Sequence, residues 1–276
     1  MKKWLSKNNH ALVLVAVFCG GITTPVHGAN ATYTILETRD HDPSLFTQGL
    51  LVDGDELIES AGLYGHSKIV RYNTQTGHVT QSLNLPSFVF AEGLHQWNGS
   101  LYLLTWREGC AYQFDSTDLS VQQSFKLETE GWGLTHDGRH FIQSNGSSTL
   151  FFRNSSTFQI EKKIHVHEGA HRWKNLNELE YAQGLVWANV YMTSTVLAIF
   201  PTDGQVAFTL DLSALATQHK DGNASHVLNG IAYDPQRDAF WVTGKCWTQR
   251  YLIKISRPAK PIPVALFSGP PPSTTP

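Results

Sequence analysis

Short strand-like runs bounded by turn residues dominate the chain. Glu56 to Ser60, Ser67 to Tyr72, His78 to Leu85, Tyr112 to Phe114, Leu150 to Arg153, Val196 to Phe200 and Tyr251 to Ile255 are rich in apolar and β-branched positions. Turn signals separate them, as in all-β proteins. A sustained 3.6-residue period of helical length is missing, apart from a possible turn near Leu212 to Gln218. The pattern predicts an all-β fold with little helix.

The runs recur in a fixed order. A Gly-Leu or Gly-Ile pair opens each set, in Thr47-Gln48-Gly49-Leu50, Ala91-Glu92-Gly93-Leu94, Gly131-Trp132-Gly133-Leu134, Ala182-Gln183-Gly184-Leu185 and Leu228-Asn229-Gly230-Ile231. Successive glycines lie 40 to 51 positions apart, a period typical of propeller blades. The expected fold is a five-bladed β-propeller, closed by pairing N- and C-terminal strands in the last blade, with Thr32 to Glu37 against Pro263 to Phe267. Glycine suits innermost strands, where backbones crowd around the axis. The side chains before the glycines, Gln48, Glu92, Trp132, Gln183 and Asn229, are then expected at the axis or its mouth. Their diversity argues against a purely structural use, although amides at Gln183 and Asn229 could equally satisfy backbone groups.

Composition narrows the function classes. Charged residues make up 16% of 276 and the net charge is −2, so no basic field favours nucleic acid. Lys2, Lys3 and Lys7 precede an apolar run from Ala11 to Cys19, shorter than a membrane span, and Val26-His27-Gly28 offers small residues for cleavage before Ala29. The expected organisation is a signal peptide over 1–28, a catalytic propeller over 29–268 and a disordered Pro-rich tail over 269–276. Export to the periplasm, or secretion, with no membrane association after cleavage, follows from that reading, and a monomer is expected. Cys110 and Cys246 would then meet an oxidising compartment, but their places in different repeats do not argue for a pair.

Eight runs in order resemble the plant-type glutaminyl-peptide cyclotransferases, which also occur in bacteria. They are His41 to Leu50, Glu59 to Gly65, Phe90 to Leu94, Leu104 to Trp106, Glu130 to Thr135, Leu176 to Tyr181, Val186 to Val190, and Leu228 to Tyr233 continuing to Thr243-Gly244-Lys245. The resemblance implies a five-bladed β-propeller that converts N-terminal glutaminyl residues of peptides or proteins to 5-oxoproline with release of ammonia, without catalytic zinc or other required cofactor. It places the catalytic glutamate at Glu92 and pocket residues at Phe46, Gln48, Phe90, Trp106, Trp132, Asn177 and Lys245. One pocket position that is usually Trp is Tyr191 here, which bears on substrate fit. Asn145 and Ser194 stand where Asp is usual, both at expected turns.

The residues themselves suit such chemistry. Cyclisation joins a substrate's own amine to its own carboxamide, so proximity is largely built in and one proton carrier can suffice. Glu92 beside Phe90 is the candidate, with its pKa raised by apolar surroundings. Lys245, Asn177 or Gln48 could stabilise the oxyanion. Trp106 and Trp132 could form walls against the aliphatic part of glutamine. His165, His167, His171 and Glu168 form the one cluster resembling metal ligands, with His165 and His167 expected on one strand face; a solvated loop is the alternative. A structural cation held by backbone oxygens in the channel, a metal-dependent lactonase-type propeller, and a noncatalytic peptide-binding propeller are the competing readings.

Overall fold

A computed structural model describes residues 29–258. The expected leader, the run Pro263 to Phe267 and the Pro-rich tail lie outside the described residues. Strand β1 (Ala29–Asp40) is followed by a first group of β2 (Thr47–Asp53), β3 (Glu56–Ala61), β4 (Lys68–Asn73) and β5 (Val79–Asn84). The second comprises β6 (Ala91–Trp97), β7 (Ser100–Thr105), β8 (Cys110–Asp115) and β9 (Val121–Lys126), and the third β10 (Leu134–His136), β11 (His140–Gln143), β12 (Thr149–Asn154) and β13 (Ile160–His165). A small ribbon, β14 (His167–Glu168) and β15 (His171–Arg172), precedes β16 (Leu176–Ala182), β17 (Leu185–Val190), β18 (Thr195–Ile199) and β19 (Val206–Asp211). A helical turn, α1 (Ser213–Ala216), continued by a 3-10 turn over Thr217–His219, falls at the stretch expected to hold one, and β20 (Leu228–Asp234), β21 (Ala239–Gly244) and β22 (Gln249–Ser256) are the last strands among the described residues.

The first three groups are separate four-stranded antiparallel sheets. The remaining strands form one eight-stranded sheet, ordered β16-β17-β18-β19-β1-β22-β21-β20. The expected mate of Thr32 to Glu37 lies outside the described residues; within them Thr32 to Asp40 pairs antiparallel with Gln249 to Ser256, while Ala29 to Ala31 runs parallel to Phe208 to Leu210. Strand β1 therefore adds a fourth strand to β20-β21-β22 and, through its first three residues, links them to β19.

The apolar side chains divide among five clusters, each shared by two neighbouring groups. Leu51, Ile58 and Ile69 meet Leu94, Leu101 and Phe114 between the first and second groups. Leu50, Leu57 and Val70 meet Ala232, Trp241 and Leu252 between the first group and the last strands. Two-faced burial explains why β7, β17 and β21 are buried along their whole length rather than alternating.

The opening strands β2, β6, β10, β16 and β20 touch in that order, and β20 touches β2. A Cβ on Gly133 would lie 2.1 Å from Asn177 O on the next opening strand, so only glycine permits that approach. The fourth Gly-Leu copy is a correction: Gly184 sits in the turn between β16 and β17, with Gln183 and Gly184 both at positive φ. Gln183 is therefore at the surface, bonded to Asp238 and Tyr233, and not at the axis. The position equivalent to Gln48-Gly49 in this group is Asn177-Glu178.

Candidate active site

Antiparallel hairpins bring the start of each opening strand and the end of the next strand to one edge. Phe46, Gln48, Phe90, Glu92, Trp132 and Asn177 lie at such starts; Trp106, Tyr191 and Lys245 follow β7, β17 and β21. All nine line one pocket of about 310 Å³, together with Leu63 and Ser225. The ladder slips at Thr47/Gly49, Ala91/Leu94, Leu176/Leu179 and Leu228/Ile231. These bulges fall on Gln48, Glu92, Asn177 and Asn229, and release them from the pleat.

Glu92 is 4% exposed, and its Oε1 accepts a hydrogen bond from Gln48 Nε2 at 3.0 Å. Burial pushes its pKa well above the usual carboxylate range, opposed by the Lys245 charge and assisted by Glu130 and Glu108. Lys245, 1% exposed, donates to Thr47 O at 3.1 Å and to Gln48 Oε1. Burial lowers its pKa to about 8 despite nearby Glu92. Gln48 thus joins the carboxyl to the ammonium, and Asn229 Nδ2 supports it by donating to Thr47 O and Gln48 Oε1 at 3.0 and 3.3 Å. Asn229 is structural in that sense, as one of the two sequence readings allowed. Asn177 Oδ1 is buried without a hydrogen-bond partner.

Aromatic rings form the walls. Phe46 and Phe90 meet edge to face at 6.5 Å between centroids, Phe90 and Trp106 lie 5.2 Å apart, and Trp132 and Tyr191 meet edge to face at 5.7 Å. Lys245 Nζ is 4.4 Å from the Phe46 ring centroid. Tyr64 adds a ring 5.3 Å from Phe90 and donates to Glu108 at 2.8 Å.

Two buried groups near the pocket escaped the sequence reading. Glu178 replaces the glycine of the other groups and accepts Leu50 N–H at 3.3 Å and Ile231 N–H at 2.9 Å, tying three opening strands together. Its pKa is raised well above normal, first by burial and then by Glu180. Misplacing the fourth copy on Gln183 hid it; the alternation in Leu176-Asn177-Glu178-Leu179-Glu180-Tyr181 was the available signal. Behind Gln48, His41 Nε2 pairs with Glu59 at 3.0 Å, while Thr47 Oγ1 and Tyr72 Oη donate to the same carboxylate.

His165 ends β13 and His167 begins the β14-β15 ribbon, with Val166 buried between them. Among the described residues no three His, Cys, Asp or Glu side chains converge as a ligand set, and Cys110 and Cys246 are free. Asn145 caps a turn through Ser147 N, consistent with its expected place.

The sequence profile of the glutamine cyclotransferase family matches residues 11–255. A glutaminyl-peptide cyclotransferase of Arabidopsis thaliana is 37% identical over 221 residues, covering 79% of this chain and 69% of the relative. The crystal structure of Myxococcus xanthus glutaminyl cyclase superposes with a TM-score of 0.78 at 28% identity, covering 83% of this chain and 98% of that one. With the family profile spanning nearly all the described residues, the chain belongs to the glutamine cyclotransferase family.

Proposed function

We propose that this protein converts an N-terminal glutaminyl residue of a peptide to 5-oxoproline and releases ammonia, with Glu92 as proton carrier. The observation that carries this reading is a carboxyl group of raised pKa, joined through Gln48 to a buried lysine, inside a small aromatic pocket. The neutral α-amine attacks the side-chain carboxamide carbon and the new C–N bond closes the ring. Glu92 takes a proton from the attacking nitrogen and delivers one to the departing amide nitrogen, which leaves as ammonia. Its raised pKa suits both transfers near neutrality.

Lys245 has three N–H donors, of which two serve Thr47 O and Gln48 Oε1. The third suits the oxyanion of the tetrahedral intermediate. Asn177 Oδ1 offers an unused acceptor for an N–H of the attacking amine, a role different from the oxyanion donor expected from sequence. The indoles and Phe rings enclose the aliphatic carbons and hold the folded conformer. Tyr191 in place of the usual Trp leaves a smaller ring and a hydroxyl at the wall.

The contacts of β2, β6, β10, β16 and β20, and the five interfacial clusters, support five blades in a closed ring with β1 finishing the last. The reading further includes export to the periplasm or outside the cell, resting on the basic and apolar pattern before Ala29. It requires no cofactor. Incubation with Gln-initial and Asn-initial dipeptides tests the activity by mass spectrometry. A mass loss of one ammonia from the Gln peptide alone is expected; equal treatment of both, or no loss, would contradict it.

A further inference from the structure

We propose that Glu130 is a positioning residue for the cyclisation, one of its carboxylate oxygens holding both indoles of the pocket wall in fixed relation. Trp106 Nε1 and Trp132 Nε1 donate to the same Oε2, at 3.0 and 3.1 Å. The other oxygen accepts Arg107 Nε at 3.0 Å, and the Arg107 guanidinium lies 3.8 Å from the Trp106 ring centroid. This inference rests on the cyclotransferase function proposed above.

Trp106 follows β7 and Trp132 precedes β10, strands of different sheets, so no strand ladder fixes one ring against the other. Glu130 lies in the connection between β9 and β10, and that connection is laced to the end of β7. Gly131 N–H donates to Thr105 O at 3.1 Å, and a Cβ on Gly131 would lie 2.7 Å from that oxygen, so glycine permits the approach. Gln143 Nε2 holds Glu130 O at 3.0 Å from the following sheet. The carboxylate thus stands on a fixed backbone between the rings.

Burial pushes the Glu130 pKa up, but hydrogen bonds from Trp132, Arg107 and Trp106 outweigh it and hold the pKa below its ordinary value. An ionised Glu130 also acts on Glu92, which faces the charges of Lys245, Glu130 and Glu108 and the amide of Gln48. Removing the Glu130 charge therefore lowers the Glu92 pKa and moves the acid limb of kcat/KM to lower pH.

Glu130→Leu and Glu130→Gln separate the clamp from the charge. Leucine cannot accept a hydrogen bond, whereas one amide oxygen can still accept both indoles. For a Gln-initial dipeptide, E130L is expected to raise KM roughly tenfold while kcat falls less. E130Q is expected to recover most of the KM loss yet still shift the acid limb. A folded E130L with unaltered KM, or E130Q as impaired as E130L, would overturn the proposal. Spectra of the parent chain carrying ¹⁵N-indole tryptophan decide it without turnover, even if E130L does not fold. The Trp106 and Trp132 N–H resonances, assigned with W106F and W132F, should move together in one titration below the ordinary glutamate range. Independent or absent movement overturns the clamp, while inactivity of the parent with intact coupling would indict the proposed reaction alone.

Discussion

Glu92 and Lys245 illustrate how burial, tuned by neighbouring charges, prepares acid-base groups. The carboxyl resists losing its proton and the ammonium gives its proton up more readily, because each charged form is poorly solvated. Their separate effects should appear in the pH profile of kcat/KM. Activity rises as Glu92 ionises and can accept a proton, then falls as Lys245 loses its charge above about 8. Lys245→Met is predicted to remove the alkaline limb contributed by the enzyme and to lower kcat; a rate profile unchanged on the alkaline side would exclude Lys245 from the oxyanion role. At this scale the nine pocket residues were legible because each sits inside a distinctive run or, like Tyr191, directly after one. Glu178 and Glu130 were not, because Glu178 is held by backbone N–H groups of other opening strands and Glu130 gains its role only when remote Trp106 joins neighbouring Trp132 on one oxygen.

The elements carry the site through their bulges and their close approach. Gly133→Ala would drive a methyl into Asn177 O, and is predicted to cost roughly 1–3 kcal/mol in urea unfolding, as overpacking does. The His41–Glu59 pair fixes the segment before β2 to β3 from behind the pocket. His41 faces a burial penalty, but the Glu59 charge and hydrogen bond win and its pKa is raised from 6.5. Its stabilisation is therefore complete below that unfolded value and is lost as pH rises through the folded one. Glu59 is lowered from 4.5, burial being outweighed by His41, Thr47 and Tyr72, so its contribution is present above that value and is lost as pH falls through the folded pKa. The pair supports the fold most between 4.5 and 6.5. His41→Gln should cost about 3–5 kcal/mol, the usual penalty for stranding a buried charge, and flatten the pH dependence of the unfolding midpoint. A midpoint that keeps the parent's pH dependence would show that other groups set it.

Across the whole molecule, β1 is the strand that joins the first-synthesised described residues to the last. It lies between β22 and β19, covering two edges that would otherwise stand open. Deleting residues 29–40 is predicted to lower the thermal midpoint and promote aggregation in light scattering; a truncated chain as stable and monodisperse as the parent would refute that role. The all-β class and the recurrence of strand groups were legible from the turn-bounded runs. The partner of β1 was not, because pairing between remote strands leaves no local periodicity to tell the run Tyr251 to Ile255 from Pro263 to Phe267. The fourth group was misaligned for a related reason: a Gly-Leu pair in a hairpin turn looks, in sequence, like one on an opening strand.

The pocket is assembled from all these groups at once, and Glu92 is its chemical centre. The most direct test is ammonia release from a Gln-initial dipeptide by the parent chain and by Glu92→Gln, with the fold of both verified by circular dichroism. The parent should release ammonia in step with 5-oxoproline, and E92Q should turn over roughly 10² to 10⁴ times more slowly with little change in KM. Near-normal turnover by folded E92Q would contradict the central claim.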